Sequence, residues 1–141
     1  EQPWQGRYTF DAPAAGWEGR DFNDTSWKSG DAAFGTPEET NVQTLWPTKD
    51  IWVRRTIQID PAQLNGGSLF VKYSHDDTFE LYFNGEQIVA TPYEWKKDRW
   101  VEIPAELAAT AAEAMPCCSS RRMTAPRYCA ASKRNSRRWS R

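Results

Sequence analysis

Short runs between residues 50 and 103 place an apolar side chain at every second position, and this alternation constrains the fold more than any other feature. In Asp50-Ile51-Trp52-Val53-Arg54-Arg55-Thr56-Ile57-Gln58-Ile59, Ile51, Val53, Ile57 and Ile59 fall on one face. Trp52, Arg54, Thr56 and Gln58 fall on the other, and Arg55 is the one charge on the apolar face. Asp60-Pro61 supplies a cap and a fixed φ for a short helical turn, which Asn65-Gly66-Gly67 ends. Leu69, Val71 and Tyr73 alternate again, as do Phe79, Leu81 and Phe83. Asn84-Gly85 follows directly and predicts a hairpin, because both central residues of a type I′ turn need φ > 0. Ile88-Val89-Ala90 reads as the returning strand, and Trp100-Val101-Glu102-Ile103 as one more, closed by Pro104. Only Ala105 to Met115 has helical composition, with too few large apolar residues for a major element. At least five strands without a long helix between them predict an all-β, antiparallel sandwich over residues 1–115.

The charge distribution divides the chain at about the same place. Residues 1–115 carry 10 Lys+Arg against all 19 Asp+Glu, a net of −9, whereas residues 116–141 carry 8 Lys+Arg and no acid. The 19 aromatic residues are far too many for a disordered chain of this length. No apolar run approaches the roughly 18 residues of a membrane-spanning helix, and the start, Glu1-Gln2-Pro3-Trp4, has no signal-peptide pattern. A first residue other than Met favours a piece of something longer. All three cysteines lie in the tail, where Cys117-Cys118 and Cys129 match no zinc spacing.

Three stretches carry a family resemblance. Phe22-Asn23-Asp24-Thr25-Ser26-Trp27-Lys28-Ser29-Gly30, continuing through Ala33-Phe34-Gly35-Thr36, is similar to the opening of galactose-binding-like jelly-roll domains. Asp50-Ile51-Trp52-Val53-Arg54-Arg55 resembles the Trp-x-Arg-Arg strand of the same domains. His75-Asp76-Asp77 with Tyr82-Phe83-Asn84-Gly85 resembles their Asp-Asp and Asn-Gly hairpin element. Such sandwiches occur in family 2 glycoside hydrolases, including β-galactosidases, and in large secreted bacterial proteins such as glutaminase-like ones. The resemblance covers roughly residues 4–115 and implies structural roles for Trp27, Trp52, Arg54, Arg55, Asn84 and Gly85. It stops where the family continues into a long apolar strand, here replaced by Met115-Pro116-Cys117-Cys118-Ser119-Ser120. That abrupt change is what a reading-frame shift produces, and the genomic DNA beyond residue 115 would decide it. The expectation is a sandwich lacking its last strands, with residues 116–141 disordered or loosely draped and an open edge prone to pairing. Arg121-Arg122 and Arg137-Arg138 argue against a replacement strand, since they would carry charge into the core.

Few residues suggest chemistry. His75-Asp76-Asp77, with Glu80 nearby, could form a ligand or acid–base site, but adjacent residues on a strand point to opposite faces. A glycosidase needs two carboxyls about 5–10 Å apart across a sugar ring. The alternative is that the Asp side chains satisfy backbone amides where a strand meets a loop. By the alternation Arg55 points inward and would pair with Asp76 or Asp77, since an unpaired buried charge is costly. Aromatic faces stack on sugars but equally fill small cores. Trp46 and Trp95 lie in loop-like text and are the candidates for exposed carbohydrate contacts, together with His75, Asp76 and Asp77.

The resemblance implies a non-catalytic accessory module of a larger secreted or periplasmic carbohydrate-active enzyme. Its expected partners are the catalytic domain of the parent polypeptide and carbohydrate, without nucleic acid, membrane, metal or cofactor. Two alternatives stand beside it. One is a pure spacer of a glutaminase-like or other hydrolase, and the other is a part of a glycoside hydrolase that lends loop residues to the active site.

Overall fold

A computed structural model describes residues 4–57, 59, 67–112 and 127–133. Ten strands and one helix follow in order: β1 (Gln5–Thr9), β2 (Lys28–Asp31), β3 (Phe34–Gly35), β4 (Thr44–Leu45), β5 (Asp50–Thr56), β6 (Leu69–His75), β7 (Thr78–Phe83), β8 (Glu86–Thr91), β9 (Lys96–Ile103), α1 (Ala105–Ala112) and β10 (Arg127–Lys133). The runs with two-residue alternation have become strands, although β5 ends at Thr56, before Ile57 and Ile59, and Ala105 opens the one described helix. The helical turn expected at Asp60-Pro61, and its end at Asn65-Gly66, lie outside the described residues.

β2, β1, β5, β10, β7 and β8 form a six-stranded sheet in that order, with every neighbouring pair antiparallel. β6 and β9 pair antiparallel across from it, and β3 and β4 form a short parallel pair. The chain is an antiparallel β-sandwich. Phe83 from β7 and Ile103 from β9 are buried against each other's sheets, with Ile88, Leu69 and Val71 packed around them. Ala108 and Ala111 of α1 close one end of this core, where small side chains let the helix approach the strands. Asn84 (φ 51°) and Gly85 (φ 96°) form the hairpin tip between β7 and β8 in the left-handed conformation that a type I′ turn requires.

β10 corrects an expectation. Instead of lying outside the sandwich, residues 127–133 occupy the centre of the large sheet, between β5 and β7. The register runs from Arg127 opposite Thr56 to Lys133 opposite Asp50 on one side, and from Tyr128 opposite Phe83 to Lys133 opposite Thr78 on the other. A strand can enter here without an arginine pair, because Arg121-Arg122 and Arg137-Arg138 both lie outside the sequence of β10. Tyr128-Cys129-Ala130-Ala131-Ser132 is an uncharged window between them, and Arg127 and Lys133 stand only at its ends.

The arginine assignment is reversed as well. Arg54, not Arg55, is the buried member of the pair, at 1% exposure. Alternation marks a single inward face only when the other face meets water, and here the segment 10–27 covers that other face. The Arg54 Nε donates to Asp24 Oδ2 at 2.9 Å, and its terminal nitrogens donate to the carbonyls of Trp17 and Gly19. Trp17 stacks on Trp27 and meets Tyr82 of β7 edge-on at 5.6 Å, so aromatic contacts seal the same clasp. The Asn23 side chain accepts the Thr25 N–H at 3.1 Å, holding the turn that presents Asp24. Arg55 is only half-buried, and its guanidinium lies 4.8 Å from the centre of the Trp4 ring.

Candidate functional site

At the end of the sandwich opposite the Asn84-Gly85 hairpin, two connections meet. Asp76-Asp77 joins β6 to β7, and residues 92–95 join β8 to β9. The Glu94 N–H donates to the Asp77 carbonyl at 3.2 Å, which ties the two turns together. Asp77 adopts φ 69°, a conformation that Asp tolerates better than most residues. The Asp76 carboxylate accepts the Asp77 N–H at 3.0 Å, so one of its oxygens serves the backbone of the turn.

His75 lies beneath this surface at 8% exposure. Its ring is nearly parallel to those of Phe79 (4.9 Å between centres) and Tyr73 (5.9 Å). Nε2 lies 3.3 Å from the Thr91 hydroxyl. Burial holds the imidazole below its ordinary pKa, with the Lys96 charge acting the same way. The Asp77 backbone and the Glu94 and Asp76 charges oppose that shift.

Two aromatic side chains stand above the buried histidine's turn. Trp95 is 66% exposed and Tyr93 is 55% exposed. The Asp77 charge raises the Tyr93 hydroxyl above its ordinary pKa, and its own desolvation, the Asp76 charge and a hydrogen bond with Asp77 add to this. Lys96 and Glu94 form an ion pair at 2.8 Å on the same turn. The surface thus offers two ring faces beside carboxylate acceptors and an ammonium donor. Ring faces suit the C–H side of a sugar, and carboxylates suit its hydroxyls. Among the described residues no group of three His, Cys, Asp or Glu could hold a metal ion.

His75, Asp76, Asp77 and Trp95, all expected as contacts, therefore converge on one end of the fold. Trp46 does not join them. It is buried at 8% exposure, and its backbone N–H donates to the Gly35 carbonyl at 2.7 Å, a bond that draws the chain after β4 against β3. The exposed neighbour is Leu45 instead. Loop-like sequence was a poor guide to exposure there. Glu80 is also elsewhere, accepting the Tyr82 hydroxyl at 3.0 Å. Burial and that bond push the phenol up to about 12. Tyr93 is the residue that sequence reasoning missed, although an aromatic two positions before Trp95 and directly after Pro92 was a usable signal. Trp100 and Phe70 are exposed too, but stand on the β6–β9 ribbon, at register positions opposite Lys72 and Glu102.

No family model matches the chain, and no curated protein matches it. Solved structures do. A glycosyl hydrolase family 2 member from Bacteroides cellulosilyticus aligns with 92% of the chain at a TM-score of 0.61 and 15% identity. A beta-glycosidase from Bacteroides vulgatus aligns with 90% at 0.58 and 14% identity. A calcium-binding mutant of a Bacteroides uniformis beta-glucuronidase aligns with 92% at 0.56 and 11% identity. The chain spans only 17%, 16% and 14% of the lengths of these three proteins. At such identities the likeness shows the fold alone: this chain has a β-sandwich fold like that of small parts of these three solved structures, one of them a family 2 glycosyl hydrolase.

Proposed function

We propose that this chain is a non-catalytic β-sandwich module of a larger glycoside hydrolase, packing beside the catalytic domain and contacting carbohydrate through the turns at its His75 end. The observation that carries this reading is the match of nearly the whole chain to a small part of each of three glycoside-hydrolase structures. The exposed Trp95 and Tyr93 beside Asp76, Asp77 and Glu94 support a sugar contact there. The Asp76 carboxylate serves the turn by accepting the Asp77 N–H, and the Asp77 carboxylate hydrogen-bonds with Tyr93, which favours binding over acid–base chemistry.

The test combines glycan-array screening with titration calorimetry on the purified chain. The expected outcome is weak, saturable binding of a glycan that Trp95→Ala and Tyr93→Ala each weaken by about tenfold or more, with no turnover of chromogenic glycosides. Binding unchanged in both variants removes this site. An array without signal favours the spacer reading, and glycoside turnover that disappears in Asp76→Asn or Asp77→Asn overturns the non-catalytic one.

A further inference from the structure

Two large exposed rings stand on strands rather than in turns. In β6, Leu69, Val71 and Tyr73 are half-buried, and Leu69 and Val71 pack against the core. Phe70, Lys72 and Ser74 alternate with them and are exposed. Glu102 of β9 lies opposite Phe70, and Trp100 lies opposite Lys72, so all of these share the ribbon's outward face. Phe70 is 50% exposed and Trp100 is 64% exposed. They occupy diagonal positions of the ladder, a spacing of about 7–8 Å that aromatic side chains can bridge.

The polar groups of this face are interleaved with the rings. Lys72 pairs with Asp98 at 2.7 Å and lies 6.0 Å from the centre of the Trp100 ring. The Asp98 N–H donates to the Ser74 hydroxyl at 3.0 Å, which holds the start of this pattern. Phe70 alternates with Lys72 along β6, and Trp100 with Glu102 along β9. The core of a protein–protein contact is depleted of charge, which gathers at the rim. Here charge stands beside each ring instead. A sugar presents apolar C–H faces and hydroxyls side by side, and that matches the checkerboard. Lys72, Asp98 and Glu102 sum to one negative charge, with the cation already paired, so the face has little to select an ionic ligand.

We propose that the outward face of the β6–β9 ribbon is a second carbohydrate surface, distinct from the turns at the His75 end, and that it takes an uncharged, extended, β-linked glycan. The equatorial substituents of such a chain leave a flat C–H face on each sugar, and the chain as a whole is a ribbon. Phe70 and Trp100 stack on successive C–H faces, while Glu102 and Asp98 accept hydroxyls and Lys72 donates to them. Both rings are carried by paired strands, so binding orders no loop.

The test uses the full 141-residue chain, with hydroxyethyl cellulose in affinity electrophoresis and cellobiose and cellohexaose in titration calorimetry. The polymer should retard the chain, and cellohexaose should bind about tenfold or more tighter than cellobiose. Phe70→Ala and Trp100→Ala, at exposed positions and checked by melting, should each weaken cellohexaose binding by about fivefold or more. Trp95→Ala and Tyr93→Ala should leave it unchanged, and this separates the ribbon from the turns. Binding lost in Trp95→Ala but kept in folded Trp100→Ala belongs to the turns and overturns the present proposal without touching that reading. Absence of retardation and of cellohexaose binding overturns it as well. So does a dimer, seen by light scattering, that Trp100→Ala disperses, because the face then belongs to a second copy of this chain.

Discussion

Arg54 shows how one residue can be misread when only one face of a strand is considered. Its guanidinium is enclosed by Asp24, by the carbonyls of Trp17 and Gly19, and by the Phe22 ring 5.2 Å away. Replacing it with Met would strand a largely buried carboxylate and two carbonyls, a change that costs about 3–5 kcal/mol. Urea unfolding of Arg54→Met should show a loss of that size, whereas Arg55→Met should lose under about 1 kcal/mol, since its guanidinium is not enclosed. His75 makes a pH prediction. Its folded pKa lies below the ordinary 6.5, so the unfolded chain binds the proton more readily. The stability it contributes is complete above the ordinary value and is lost as pH falls through the lower, folded value. Melting curves from about pH 8 down to about pH 5 should therefore fall more steeply for the parent than for His75→Phe. Equal slopes would dismiss the effect. Neither role was legible from spacing: Asp24 reaches Arg54 from a motif 30 residues away, and nothing in the sequence reports that His75 sits under rings.

Among the elements, the hairpin was the most legible, because its signal is local. Asn84-Gly85 specifies the turn by its own backbone needs, whatever the rest of the fold does. Gly85→Ala places a Cβ at φ 96° and should destabilise the chain by about 1–2 kcal/mol. Thermal melting will register this, and an unchanged midpoint would mean that the turn relaxes to another type. β5, β6 and β7 were legible for a related reason, since each repeats its apolar residues with period two, and β8 was legible as the return of the hairpin. Boundaries were less so: β9 begins at Lys96, four residues before its apolar alternation becomes visible. β10 was not legible at all. A central strand is recruited by its neighbours' unpaired backbone, and that demand is invisible in the recruited segment's own composition.

For the molecule as a whole, the two halves of the large sheet are joined by β10, the last of the described elements. A version ending at Ala112 should melt well below the full chain and associate through the facing edges of β5 and β7. Light scattering and melting of the two versions together will check this, and matching midpoints would show that the central strand contributes nothing to stability. The likeness to parts of much larger glycoside-hydrolase structures was anticipated by the order of three weak motifs, although none of them alone would have sufficed. Two of those motifs turn out to hold each other, Asp24 from one and Arg54 from the other. That clasp has a consequence for descent. Neither position is at liberty to drift by itself, because the intermediate carrying only one change buries an unanswered charge. Among descendants of this chain the two should be replaced as a pair or kept as a pair. A library randomised at both positions and selected for folding should return coupled solutions, an acid with a base or two apolar residues, and almost no mixed ones.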